Sequence, residues 1–411
     1  MSAADDGARP VAGAGAGPGA GAGARPVAGA GAGPGAGAGA GRSPVTGGRA
    51  ARRRARRPPP PLAQRDGLDA AHWRIPPRAP AAPGESRGEL TVLEALLSRF
   101  PALGAPEATP LPLRFARGEI VRADGTAWSA QDPARAGQEV WFHRELRPEV
   151  VPEREIPILF RDEHLLVIDK PHDMATLPRG AHVLGSALVR LRRATGITEL
   201  SPLHRLDRRT AGVLAFGIRS AERAAYQQLF ARTEVAKEYL ARVRILPGAS
   251  ESEPPLHPGA AFSMRDRLVK EHGELQGRVI AGEPNAHTEV EVLEVSPAAG
   301  ELEALTAART PAPRTALLRL QPRTGRTHQL RLQLASRGLP ICGDDLYPEA
   351  RAVGPEDPPL ALLARRLAFT DPFTGEEREF LSARSLAEGA EGAEGADGPG
   401  RPGPGVSTLE P

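Results

Sequence analysis

The chain has 411 residues, with 53 Lys plus Arg against 50 Asp plus Glu for a net charge of +3, and it holds 46 Gly, 43 Pro and one Cys. Its length allows two or three domains, and the lone Cys342 excludes an intramolecular disulfide framework and a cysteine-cluster metal site. No run approaches roughly eighteen apolar residues, and no charged-then-apolar leader opens the sequence, so a soluble, cytoplasmic protein is expected.

Composition sets the two ends apart. Residues 9–24, RPVAGAGAGPGAGAGA, recur identically as residues 25–40; with almost no side chain to bury, such a segment cannot offset the entropy of ordering. The GAGAGP pieces in it lack the preceding strand and following helix of a dinucleotide fingerprint. Six arginines then fall within residues 49–57. Residues 1–66 carry 10 Arg and 3 Asp, residues 386–411 carry five acidic residues against Arg401, and residues 67–385 are left with zero net charge. The body is therefore no broadly basic nucleic-acid binder. The arginine-rich arm either holds phosphates through charge alone or is a solubilising extension. Disordered tails are expected over 1–66 and, acidic, over 386–411.

Residues 67–88 are polar and proline-rich and read as a linker. In ELTVLEALLSRFPAL, residues 89–103, Leu93, Leu96 and Leu97 recur at helical spacing. Short alternating runs over 118–143, separated by DG and a Pro/Gly loop, predict small strands with a hairpin. Residues 89–150 thus read as a small α+β module, of a size that folds only marginally alone. A larger unit, 151–385, opens with strand-like runs at 156–160 and 165–168 and reaches Lys170-Pro171. Residues 222–232 predict a helix with Tyr226, Leu229 and Phe230 on one face. Lys237, Tyr239, Ala241, Val243 and Ile245 alternate onto one face of a strand. Residues 315–322 predict another strand, and 325–338 a helix stopped by Gly338. Strands mixed with single helices, in no regular alternation, predict an α+β fold with a mixed, mainly antiparallel sheet.

LSPLHRLDRRTAGVLAFG, residues 200–217, sets His204, Arg205, Asp207, Arg208 and Arg209 within six positions ahead of an apolar run. A carboxylate flanked by cations stays ionised, which suits a nucleophile or an electrostatic anchor rather than a general acid. Taken by itself, the stretch is better explained as a surface ion-pair cluster. His204 and His328 have no spaced carboxylate or cysteine beside them, so they predict hydrogen bonding near a pocket and no metal site. A glycosidase would need a second carboxylate about 5–10 Å from Asp207 in the same cleft, and no motif supplies one.

Three further stretches change that weighing. A Lys-Pro after a strand, HRLDRRTAGVLAFG, AKEYLARV and RTGRTHQLRLQLASRGLPICGDDLYP follow in an order and spacing that resemble the RluA family of pseudouridine synthases over roughly residues 156–381. The resemblance implies an enzyme that isomerises uridine to pseudouridine in RNA without metal or cofactor. On it, Asp207 takes the place of the family's essential aspartate. Tyr239 falls on the tyrosine that stacks on the target base and helps move the C5 proton, and Arg331 on the arginine that pairs with the aspartate. Arg205 falls on the arginine that enters the helix as the base leaves, and Lys237 on a position that is usually basic. His204, Lys237, Arg326 and His328 join Arg205 as RNA-binding candidates. Lys170 reads as structural or phosphate-facing, Cys342 as a buried small apolar residue, and Arg208 and Arg209 as meeting phosphate or solvent. Ala211 stands where the family commonly has serine, and LLARRLAF, residues 362–369, lacks a histidine often found there; neither replaces a residue assigned to the chemistry.

Elementary chemistry agrees with these places. A base that is to be detached, turned and rejoined must leave the stack, at a few kcal/mol. A planar guanidinium can fill the gap, and an aromatic wall can receive the base for about 1–3 kcal/mol. A bidentate arginine would hold Asp207 charged and aimed. RNA is the expected partner, with large-subunit ribosomal RNA ahead of transfer RNA, because residues 89–150 occupy the place of the RNA-binding module found in relatives that mostly act on the former. In VWFHREL, residues 140–146, Trp141 suits a core as well as an RNA contact. The opposing reading is a non-catalytic RNA-binding ribosome-assembly factor that keeps the fold; the joint presence of Asp207, Tyr239 and Arg331 argues against it. No membrane is expected, and a monomer is the simpler expectation.

Overall fold

The computed structural model describes residues 59–77, 88–146, 148–180, 182–246, 256–271, 273–296, 314–354 and 356–386. Residues 1–58 of the tail expected over 1–66, 387–411 of the tail expected over 386–411, and 78–87 of the linker expected over 67–88 lie outside them.

The chain first builds a small three-stranded unit. β1 (Ala71–Arg74) is followed by α1 (Val92–Arg99), α2 (Leu111–Ala116), β2 (Ile120–Val121) and β3 (Glu139–Phe142), with strand order β1-β3-β2. α1 starts at a capping box: Glu94 N donates to Thr91 Oγ1 (3.2 Å), and Thr91 N donates to the Glu94 carboxylate (2.8 Å). It ends sooner than the leucine spacing predicts, because Pro101 cannot donate into a further turn, and Pro101–Gly104 tightens into a 3₁₀ turn. Val92, Leu96, Leu111, Phe115, Ile120, Trp128, Val140 and Phe142 form its core. Trp141 is half-buried and stacks on His72 at 4.2 Å. β1 lies inside the stretch read as linker; four residues followed by Pro76 and Pro77 are too few to show a period.

The larger sheet has eleven strands. In chain order its unit contains β4 (Ile158–Arg161), β5 (Leu165–Lys170), α3 (Ala187–Thr195), β6 (Ser201–Pro202), β7 (Ala211–Gly217), α4 (Arg223–Ala231), β8 (Ala236–Arg244), β9 (Ala261–Val269), β10 (Arg278–Ile280), β11 (Ala286–Ser296), β12 (Thr315–Pro322), α5 (Gln329–Ala335), β13 (Leu362–Thr370) and β14 (Glu377–Leu381). The spatial order is β10-β9-β11-β12-β8-β13-β7-β5-β4, with β14 on β13 and β6 on β7. Every pairing is antiparallel except β7 with β13, as the mixed, mainly antiparallel expectation requires.

Burial explains the two kinds of strand sequence. β5 and β7 are covered on both faces and read as continuous apolar runs: Leu166, Ile168, Leu214 and Phe216 meet Leu188 and Leu191 of α3, while Leu165, Val167, Val213 and Ala215 meet Tyr226 of α4. β8 and β12 alternate because only one face is covered. Ala241, Val243, Ala316, Leu318 and Leu320 pack with Leu330 and Leu334 of α5, and on the other face Arg319 bridges Glu238 (3.7 Å) and Glu291 (2.5 Å). β7 and β13 meet at Gly212, whose φ is +112°; a Cβ there would lie 2.2 Å from the Ala364 carbonyl oxygen, so only glycine fits.

Two contacts tie the small unit to α3. Arg192 Nη1 donates to Gly67 O (3.2 Å) and Asp69 Oδ2 (3.1 Å), and the Glu149 carboxylate accepts the backbone N–H groups of Val183, Leu184 and Gly185 (2.9, 2.7 and 3.0 Å). Residues 64–69, read as tail and linker, are thus a docked arm: Gln64 also donates to Thr198 O at 2.8 Å.

Candidate active site

Asp207 sits in the loop between β6 and β7, and the loop is pinned on both sides of it. Thr176 Oγ1 donates to Leu206 O (2.8 Å) and accepts from Leu206 N (3.2 Å). Lys170, fully buried at the end of β5, places its three donors on the carbonyls of Pro171 (3.0 Å), Met174 (2.8 Å) and Arg208 (3.1 Å). Burial pushes its pKa down to about 7 against the pull of Asp173 and Asp207. Lys170 is therefore structural. Arg208 and Arg209, expected to meet phosphate or solvent, do otherwise. Arg208 pairs with Asp173 at 2.9 Å, and Arg209, 4% exposed, donates to Gly343 O (2.9 Å) and Pro358 O (2.7 Å). Carbonyls crowding the loop from the β12–β13 connection draw this guanidinium inward.

The loop opens onto a cavity of about 400 Å³. All eight candidates line it: His204, Arg205 and Asp207 from the loop, Lys237 and Tyr239 from β8, and Arg326, His328 and Arg331 from α5 and the turn before it. Lys237 and Tyr239 reach it through the alternation of β8, and β13 pairs Ala364 with Tyr239. The predicted helix over 325–338 is shorter, because His328 adopts a left-handed φ of +56° at its start and residues 324–327 curl into the cavity wall. Among the described residues Asp207 has no ion pair or side-chain hydrogen bond of its own.

Electrostatics differ from group to group. Burial, reinforced by the charge of Asp207, raises the Tyr239 pKa well above that of a free phenol, so the hydroxyl stays protonated. Burial lowers Lys237, whose Nζ donates to Thr324 O at 3.1 Å. Burial also lowers His328, where Asp207 pulls the other way and Arg331 adds to the depression. Tyr347 Oη accepts Gly277 N–H (2.7 Å) and is hydrogen-bonded to His328 Nδ1 (3.1 Å). Arg205 is exposed, and Arg326 Nε donates to Asn285 O at 3.0 Å.

His204 makes the hydrogen bond near a pocket that was expected of it, whereas Arg331 is engaged differently from expectation. His204 Nε2 accepts the Ala215 N–H at 3.2 Å, and its ring stacks on Phe230 at 5.1 Å. Burial, with Lys237 nearby, pushes it down to about 3, so it is a neutral brace of the loop. Arg331 does not pair with Asp207. Its Nε and Nη2 donate to Asp344 (2.8 and 2.5 Å), and Nη2 also meets Asp345 (2.7 Å). The two carboxylates of GDDLY lie nearer and capture the fork. Burial opposes the Arg331 charge, but Asp344 first, then Asp207 and Asp345, hold its pKa up. Sequence reasoning thus missed Asp344, Asp345, Thr176 and Tyr347; the paired acids of GDDLY were the one visible signal. Cys342 is half-buried, with its thiol pushed up by burial. No group of three or more His, Cys, Asp or Glu side chains suited to a metal gathers among the described residues, and none of their helices is long and apolar enough to cross a membrane.

The chain is similar in sequence to known proteins. The sequence profile described as RNA pseudouridylate synthase matches residues 164–336. The dual-specificity RNA pseudouridine synthase RluA of Escherichia coli K12 is 32% identical over 228 residues, 54% of this chain and 90% of that protein. tRNA pseudouridine synthase C of Vibrio vulnificus is 30% identical over 232 residues, 54% of this chain and 88% of that protein. A solved structure titled Human RNA Pseudouridylate Synthase Domain Containing 1 is 21% identical, with a TM-score of 0.43 covering 58% of this chain and 86% of that one.

Proposed function

The chain belongs to the RluA family of RNA pseudouridine synthases, and from that membership we propose that the cavity around Asp207 receives a uridine extruded from structured RNA. The isomerisation breaks the N1–C1′ bond, forms a C5–C1′ bond and returns a proton to N1 for the one lost from C5, so it needs no co-reactant. In this reading Asp207 is the essential group. The observation that carries it is a carboxylate held in a pinned loop, lining the cavity with Tyr239 and Arg331, and having no side-chain partner among the described residues. Tyr239 offers the base a stacking face and keeps its phenol protonated. Arg331 supplies positive charge beside the carboxylate. Arg205, exposed, lining the cavity and without a partner among the described residues, fills the gap that the base leaves, with Lys237, Arg326 and His328 around the bound strand.

The proposed substrate is large-subunit ribosomal RNA, supported by the small unit with a core of its own docked beside α3. Similarity to a dual-specificity enzyme and to a tRNA pseudouridine synthase favours transfer RNA as the second reading. One experiment tests both. Pseudouridines are mapped across total ribosomal and transfer RNA from cells with the gene, without it, and with only Asp207→Asn. One position lost in both defective strains is expected, and its place names the substrate. A position lost without the gene but retained with Asp207→Asn would overturn the role of Asp207, and a map unchanged in both strains would favour the non-catalytic RNA-binding reading.

A further inference from the structure

A guanidinium has five N–H donors to place. Arg331, 4% exposed, spends Nε on Asp344 Oδ2 (2.8 Å) and Nη2 on Asp344 Oδ1 (2.5 Å) and Asp345 Oδ1 (2.7 Å). Its Nη1 has no partner among the described residues, although the side chain lines the cavity and feels the charge of Asp207. Asp344 is 1% exposed and is itself fixed, since Oδ1 also accepts the backbone N–H groups of Leu346 (2.8 Å) and Tyr347 (2.9 Å). Asp345 faces two arginines at once. Besides Arg331 it lies 3.7 Å from Arg209 Nη1, and Arg209 follows Asp207 by two positions and is bonded to Gly343 O.

We infer that Asp344 and Asp345 are positioning residues for the reaction, a deepening that rests on the function proposed above. Asp344 fixes the plane of the Arg331 guanidinium so that Nη1 is the donor presented to Asp207. Asp345 couples that guanidinium to Arg209, and so to the loop that carries Asp207. Neither carboxylate touches the substrate. Both set the distance between a charge that does and the charge beside it, and an error of about 1 Å in such a distance costs on the order of 100-fold in rate.

Asp344→Asn separates this role from a merely structural one. The asparagine oxygen keeps the bonds from Leu346 and Tyr347 N–H, but its amide now faces Arg331 Nε–H, donor against donor. Single-turnover and steady-state rates are measured on an RNA containing the mapped uridine, for wild type, Asp344→Asn, Arg331→Met, the double variant and Asp207→Asn. The expected result for Asp344→Asn is a kcat lower by about 10- to 100-fold with KM within about twofold, and no further loss when it is added to Arg331→Met. Unchanged turnover, losses that multiply in the double variant, or a KM that rises as far as kcat falls would each overturn the inference. Should Asp344→Asn fail to fold by circular dichroism, Asp345→Asn, at a 17% exposed side chain, gives the same test: a smaller loss of kcat that vanishes in the Arg331→Met background. Normal turnover by Asp207→Asn in the same series would sink the underlying reading instead, and is distinguishable from every outcome at Asp344.

Discussion

Lys170 shows how a single residue can be decisive and yet remain outside the chemistry. Its ammonium is buried under three carbonyls, one of them on Arg208 beside Asp207. The folded pKa, about 7, lies below the ordinary 10.5. Between these values the unfolded chain holds the extra proton, so raising pH removes a competitor of folding, and stability rises through that window and is flat below it. Urea unfolding of wild type and Lys170→Met from pH 6 to 10 checks this. Wild type is expected to gain a few kcal/mol relative to the variant between pH 7 and 10, whereas a flat difference would mean that the lysine keeps its charge throughout. His204, held down to about 3, adds a loss of stability as pH falls below its ordinary 6.5. At this scale the sequence named residues better than their partners. Eight candidates in separate motifs line one cavity, because family spacing marks positions. The bond from Lys170 to Arg208 spans 38 residues and the one from Arg209 to Gly343 spans 134, and no local pattern carries such a pairing.

Among the elements, legibility followed burial geometry. β12 over 315–322 and the alternating β8 were readable because one solvated face imposes a period of two. β9 to β11 carried no expectation: Arg265, Asp266 and Arg267 break the apolar rhythm of β9, and β10 is exposed throughout. α5 was read too long because the loop bearing Arg326 and His328 shares its helical composition. Gly212 is the element-level requirement with the sharpest test. Gly212→Ala combines a disallowed φ with a clash against Ala364, and the expected cost is about 2–5 kcal/mol. Gly196→Ala, at a φ of +70° with nothing within 4 Å, is the control and should cost only the backbone strain of about 1 kcal/mol. Equal losses in urea unfolding would mean that β7 and β13 can part to admit a methyl group.

Across the whole molecule, net neutrality of residues 67–385 coexists with an RNA-modifying activity, because the cations that matter face one cavity while others, such as Arg319 and Arg366, are neutralised by carboxylates on neighbouring strands. The order of strands adds a constraint in time. Asp207 precedes β7, Tyr239 lies on β8, and Arg331 follows β12, so all three candidate catalytic residues come before Leu362 in the chain. Yet β13 is the strand inserted between β7 and β8. A chain cut after Ala361 would possess every candidate catalytic residue and lack the backbone that sets the two halves of the cavity at their spacing. It is expected to show no turnover, and to recover some when a peptide of residues 362–386 is supplied; activity in the cut chain alone would show that the halves find each other without β13. On a translating ribosome the enzyme would therefore stay silent until β13 has emerged, whatever fraction of its chemistry has already been synthesised.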